Sequence, residues 1–299
     1  MKKHTLDPLI SLPLWELIEA HPRKSEVLLQ QGVVGLHELL FGGQSKAHFT
    51  LQKRRNLHFH ENALKFLNTL ASSNSDICLL KGACLLEDIY PYWGERFMSD
   101  IDIYCSNMDE MEEAALSFGM KRTNPEESYW LGNSHKREFF LETSLGNIPF
   151  EFHSKLFWHK EDPEKINFRD YSGGKGLALE ECLIFLIGHY AFQHTCQKLY
   201  WLIDIYLFLI KYEKKIDYKR FIELMTYFQF DRSVLVTKAL LKSLCSYDWS
   251  AIEGETSFPI RVDFACEDSQ RHWYYLLLKW YLKNGLRTNI RYNLAWLRS

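Results

Sequence analysis

No CxxC motif occurs in this chain, and its cysteines (78, 84, 105, 182, 196, 245 and 266) are odd in number. Neither a zinc knuckle nor a disulfide framework is supported, and buried free thiols in a reducing compartment are the expectation. Long apolar runs are also missing. The longest, 182–187 and 199–210, fall short of the roughly 20 residues that span a bilayer. The N-terminal stretch is broken by Asp7, Pro8 and Pro13, which makes a poor signal peptide. A soluble cytoplasmic protein with no membrane partner is therefore expected. Charge of one sign is scarce, because 36 basic residues against 38 acidic ones leave a net −2. Net charge thus advertises no nucleic-acid partner. No internal repeat is found.

What is present is apolar and aromatic. The 299 residues are 46% apolar and include 20 Phe, 16 Tyr and 9 Trp. Such a chain can bury a sizeable core, so disorder, collagen and low-complexity classes are excluded. Its length fits one long domain or two to three modules. The texture changes twice. Residues 1–72 read as helical, ending in a long helix from about Ser45 to Ala71 with Lys53, Arg54 and Arg55 on its wet side. Residues 73–170 mix short strands with helices: Ile77–Leu80, a helical stretch from Lys81, the strand Ser99–Cys105, an acidic helix at 107–118, and a hairpin from Arg137–Leu141 and Asn147–His153. Tyr171–Gly176 (YSGGKG) reads as a linker. Residues 171–299 are then mostly helical, and the last stretch is basic, with Lys279 and Lys283 among its charges.

Asp100 and Asp102 stand at i and i+2 of a strand, so both carboxylates leave one face about 6–7 Å apart. Ile101 and Ile103 point the other way. Adjacent carboxylates repel and need compensation, usually a divalent cation, and oxygen ligands favour Mg²⁺ or Mn²⁺. Two solvent-facing acids on an edge strand are the bland alternative. Glu151 lies between Phe150 and Phe152, and shares its face with His153. It can bring a third carboxylate to the pair, and His153 reads as a supporting or structural histidine. Gly82 follows a short strand and opens a helix, where backbone N–H groups are free for a phosphate. Lys81 and Arg96 lie beside it and can neutralise a triphosphate. His189 and His194, five apart, fall about 140° around an α-helix and make no simple ligand pair. One of them can line a cleft. Asp204 sits inside LYWLIDIYLFLI, where an unpaired carboxylate is costly. It needs a buried partner such as Arg96, Lys81 or a histidine. Tyr92 and Trp93 can stack a base or anchor their loop.

Leu80-Lys81-Gly82-Ala83, then Tyr90, Arg96 and Ser99-Asp100-Ile101-Asp102-Ile103, resemble the core pattern of the polymerase-β-like nucleotidyltransferase superfamily. More closely they resemble its uncharacterised bacterial nucleotidyltransferase family. Arg54-Arg55-Asn56 before that core, and His189, His194, Leu199, Trp201 and Asp204 after it, match too, so the resemblance spans about residues 50–210. It implies an α/β (α+β) core with a mixed sheet, flanked by N-terminal helices and a helical C-terminal domain. It also implies an NTP donor bound at Lys81, Gly82, Ala83 and Arg96. Asp100, Asp102 and Glu151 would serve as the catalytic and metal-binding acids. The chemistry would be Mg²⁺- or Mn²⁺-dependent transfer of NMP to a hydroxyl of a small molecule, sugar, RNA end or protein, with release of pyrophosphate. The sequence departs from the pattern in two places. Ala83 stands where a serine is usual, and 17 residues separate Gly82 from Asp100, so the loop 91–98 is extended. A glycosyltransferase would need a larger α/β domain upstream of its DxD. The other rival is a degenerate nucleotide-binding or interaction module on the same fold.

Overall fold

The computed structural model of the protein describes residues 7–42, 46–70, 76–123, 136–171, 174–260, 273–283 and 289–290. Four short helices open the chain: α1 (Asp7–Ile10), α2 (Pro13–Glu19), α3 (Lys24–Gln30) and α4 (Val34–Phe41). The long helix α5 (Ala47–Thr69) follows. It contains no Gly or Pro, and it buries Asn56, Phe59, His60, Asn62, Ala63 and Phe66 at helical spacing.

The core then alternates strand and helix: β1 (Ile77–Leu79), α6 (Lys81–Asp88), β2 (Ile101–Cys105), α7 (Met108–Ser117), β3 (Lys121–Arg122), β4 (Lys136–Thr143) and β5 (Gly146–His153). Helix α7 starts where the Asn107 side chain accepts a hydrogen bond from the Glu110 amide, with Asp109 and Glu110 in its first turn. Two more strands follow, β6 (Phe168–Tyr171) and β7 (Gly174–Leu177). This corrects the linker reading of 171–176, because Tyr171 ends β6 and residues 174–176 belong to β7, which pairs antiparallel with β6 and parallel with β1. Among the described residues the sheet has seven strands in the order β3-β4-β5-β2-β1-β7-β6, and it mixes parallel and antiparallel pairs.

The sheet has two unlike faces. Ile101, Ile103, Phe150 and Phe152 are fully buried on one face, where Phe66 of α5 packs 6.0 Å from Phe150 and 5.7 Å from Phe152 between ring centres. The other face carries Asp102, Glu151 and His153. Strands β2 and β5 run parallel with Asp102 opposite Glu151, which fixes those side chains as neighbours.

Beyond the sheet come α8 (Leu179–Ile187), a π-helical turn (Gly188–Gln193), α9 (Leu199–Tyr212), α10 (Tyr218–Phe228), α11 (Asp231–Cys245) and α12 (Trp273–Leu282). Phe157, just past β5, plugs into this helical part, with ring centres 4.7 Å from Phe230 and 4.8 Å from Phe228. Gly188 permits that packing. A Cβ there would lie 2.4 Å from the Phe157 ring and 2.5 Å from Phe230. Gly188→Ala is therefore expected to cost about 1–3 kcal/mol through overpacking, read as a lowered urea midpoint at unchanged slope. Among the described residues no helix is long and apolar enough to cross a membrane.

Candidate active site

A cavity of about 540 Å³ lies over the polar face of the sheet and is lined by Lys81, Gly82, Asp100, Asp102, Glu151 and His153, among others. Asp102, Glu151 and His153 each bring a ligand atom to within 4.8 Å of the others. His153 Nε2 stands 3.0 Å from Asp102 Oδ1 and 3.6 Å from Glu151 Oε2. The tight group is thus two acids and an imidazole. Asp100 lies just before β2 and lines the same cavity, its Oδ1 accepting from the Ser99 hydroxyl at 2.9 Å.

Protein cations balance these acids. Lys81 Nζ is 2.7 Å from Asp102 Oδ1, and Lys136 Nζ is 2.8 Å from Glu151 Oε1. Burial alone would raise the Asp102 pKa, but Lys81 and His153 outweigh it and hold the carboxylate below its usual range. Glu151 is likewise held low, against burial, by His153, Lys136 and Lys81. Burial would lower the His153 pKa, but its hydrogen bonds to Asp102 and Glu151 raise it. Asp100 is different: burial, then the Asp102 charge, push it up to about 6.

Lys81 heads α6 with φ at +41°, a left-handed conformation that strains a residue bearing a Cβ. The strain sits where the chain leaves β1, and the Leu80 amide donates to the Asp102 carbonyl at 2.9 Å. The first amides of a helix have no partner within it, and the head of α6 lies at the cavity, where Lys81 and Gly82 line the wall. Gly82 is fixed there by crowding, because a Cβ would lie 2.4 Å from an Arg96 nitrogen. Ala83 is buried beside it.

Arg96 lines the cavity, but its charge is engaged. Its Nε and Nη2 donate to both oxygens of Asp204, at 2.8–3.1 Å, and the Tyr90 hydroxyl donates to Asp204 Oδ1 at 2.7 Å. Asp204 is fully buried behind Arg96 and is not among the cavity-lining residues. The extended loop 91–99 is stitched to α5: Gln52 donates to the Gly94 carbonyl, and Asn56 donates to the carbonyls of Trp93 and Arg96. Trp93 packs edge-on against His60 with ring centres 4.7 Å apart, and so anchors the loop.

His189 and His194 correct the 140° reading. The chain runs as a π-helix here, so residues five apart come together. Their ring centres are 4.4 Å apart, and each lies within 4.7 Å of Trp201. Both line the cavity. Burial and then the Lys81 charge lower both pKa values, His194 to about 3, which favours the neutral form of each ring. In the basic C-terminal stretch Lys279 and Lys283 are buried. Arg271, Arg287, Arg291 and Arg298 lie outside the described residues.

Sequence reasoning missed Lys136, Trp158 and Tyr275 as cavity residues. Only Lys136 left a signal, a lysine one position ahead of the strand expected at Arg137–Leu141; it is the first residue of β4 and pairs with His153.

Two carboxylates and an imidazole, with the Asp100 carboxylate lining the same cavity, are a donor set that can hold a divalent metal ion. Acids on adjacent parallel strands beside a strand-to-helix turn, in a mixed sheet closed by helices, make a nucleotidyltransferase-like core. The chain belongs to the family described as uncharacterised nucleotidyltransferase, whose sequence profile matches residues 44–245. No curated protein matches it in sequence. Two solved structures are similar to it. One is an antigenic nucleotidyltransferase-like protein from Paracoccidioides brasiliensis, at 13% identity and a TM-score of 0.37, covering 51% of this chain and 76% of its own. The other is a candidate nucleotidyltransferase from H. pylori, at 12% identity and a TM-score of 0.40, covering 82% of this chain and 98% of its own.

Proposed function

We propose that the protein is a metal-dependent nucleotidyltransferase that moves NMP from an NTP to a hydroxyl acceptor and releases pyrophosphate. The observation that carries this reading is the convergence of Asp102, Glu151 and His153 in one cavity with Asp100, next to the head of α6. Asp100, Asp102 and Glu151 would hold Mg²⁺ or Mn²⁺, with His153 beside them. The ion would supply charge neutralisation for the triphosphate and the leaving pyrophosphate. Lys81 would exchange Asp102 for a phosphate oxygen, and the Gly82 and Ala83 amides would hold a second one. Arg96 would position rather than neutralise, because Asp204 already holds its guanidinium. A carboxylate of the cluster would take the acceptor proton. In this reading the catalytic core of residues 73–170 extends through β7 to Leu177, residues 1–72 are its helical support, and the helices after β7 are its closure.

A second reading has an observation of its own. Lys81 and Lys136 already neutralise the acids, as in a nucleotide-binding module that works without a metal.

Thermal unfolding with ATP, GTP, CTP and UTP, each with and without Mg²⁺ or Mn²⁺, separates the two. A ligand at 100 times its Kd adds about 2.7 kcal/mol. One NTP should raise the transition temperature only when metal is present and should release pyrophosphate on turnover. A metal-independent shift without pyrophosphate would favour the binding module.

A further inference from the structure

The cavity lining divides by chemistry. The sheet and the head of α6 supply the acids and the lysines that hold them. The helices beyond the sheet bring rings: Phe185 from α8, His189 and His194 from about the π-helical turn, and Trp201 from α9. The transfer chemistry uses the first group and leaves the second without a task.

Lys81 joins the two groups. Its Nζ is 2.7 Å from Asp102 Oδ1 and 5.9 Å from the centre of the Phe185 ring. A phosphate chain held at Lys81 therefore has the aromatic wall within reach. On that wall His189, His194 and Trp201 touch one another, with ring centres 4.4–4.7 Å apart, and all three line the cavity, so they form one continuous surface. The backbone is strained where it places them. A six-residue π-helical turn brings the histidines together, and Thr195 and Cys196 follow at φ of +52° and +60°, left-handed for two successive residues that carry a Cβ. Such strain is often found at functional sites.

The chemistry of this wall is specific. Burial and the Lys81 charge favour neutral imidazoles, so the wall is no phosphate site. A neutral imidazole offers one donor and one acceptor. His189 Nδ1 lies 3.1 Å from Gln193 Oε1, whereas neither ring nitrogen of His194 hydrogen-bonds a described residue. Rings that stack, with polar atoms to spare at one edge, suit a flat, uncharged heterocycle with hydrogen-bonding groups on its rim.

We propose that His189, His194 and Trp201 form the subsite for the nucleobase of the NTP, which stacks on this surface while a ring nitrogen of His194 hydrogen-bonds its edge. The inference rests on the reading of the cavity as a nucleotide site. It divides the NTP between two walls, with the triphosphate at Lys81 and the acids, and the base on the rings.

The test measures equilibrium binding to the full chain of ATP, GTP, CTP, UTP and inorganic tripolyphosphate, each with Mn²⁺. Tripolyphosphate keeps the phosphates and lacks the base. At least one NTP should bind about tenfold tighter than tripolyphosphate, within what the stacking of one base supplies. His194→Ala and Trp201→Ala should each erase most of that advantage and leave tripolyphosphate binding unchanged, which also reports that the site is still folded. Trp201→Phe, which keeps a ring, should retain most of it. His194→Phe keeps a ring without the nitrogens and should flatten the ranking of the four NTPs. If Trp201→Ala does not fold, His194→Ala decides alone. NTPs bound no tighter than tripolyphosphate, an advantage that survives His194→Ala, or equal loss of both ligands in that variant would overturn the proposal. A wild-type chain that binds neither ligand would sink the nucleotide reading itself, and this inference with it.

Discussion

Asp102→Asn is expected to lower NMP transfer by about a thousandfold, the scale of losing one preorganised electrostatic stabiliser. The change is nearly isosteric, so it removes charge and leaves volume. Asp102 is the hub of the site. It holds Lys81 at 2.7 Å and His153 at 3.0 Å, and it faces Glu151 across the β2–β5 ladder. Without its charge, Lys81 and His153 lose their shared counter-ion, and any divalent ion loses its most buried oxygen ligand. Two measurements check this: pyrophosphate release, and Mn²⁺ binding followed by paramagnetic resonance without nucleotide. A variant that still binds Mn²⁺ with wild-type affinity would remove Asp102 from the metal site, whatever happens to turnover.

The second large effect concerns stability. Asp204→Ala should destabilise the protein by about 3–5 kcal/mol, because it leaves the Arg96 guanidinium buried without its counter-charge. For a chain of this size that is a fall of about 10 °C in Tm. The pair is closed on both sides, with Arg96 3% exposed, Asp204 fully buried and Tyr90 adding a fourth hydrogen bond to the three from Arg96. A double replacement, Arg96→Met with Asp204→Leu, should recover most of the loss, since an apolar pair carries no desolvation cost. It should not recover activity, because Arg96 packs against Gly82 and lines the cavity. A double variant no more stable than Asp204→Ala would show that the loss came from packing rather than charge.

The parts legible in the sequence were those written in short-range periodicity. SDIDIYC alternates acid and apolar residues, and the structure gives a strand with Ile101 and Ile103 buried and Asp102 on the other face. The hairpin around 143–146 and the long helix at 47–69 are equally local patterns. Asp204 betrayed its need for a partner because a carboxylate in an apolar helix has few ways to exist. The misreadings arise where composition serves two structures or where contacts are remote. Glycines suit a linker and a hairpin alike, so 171–176 gave no sign of joining the sheet. The angle between His189 and His194 was reckoned on 3.6 residues per turn, which a π-helix does not obey. Tyr275 and Lys279 reach the cavity over more than a hundred residues, beyond the range of any periodicity.

The loop before Asp100 has no regular secondary structure, yet α5 meets its carbonyls from one side and Asp204 of α9 grips its arginine from the other. The segment is irregular in outline but as tightly specified as a strand. The core is therefore not a portable cassette. Cutting the chain ahead of β1 would leave the carbonyls of Trp93 and Arg96 without Asn56, and cutting it after β7 would leave Arg96 without Asp204. The helices on either side hold in place the loop that brings Arg96 to the candidate site, and fusion or engineering has to carry all three parts together.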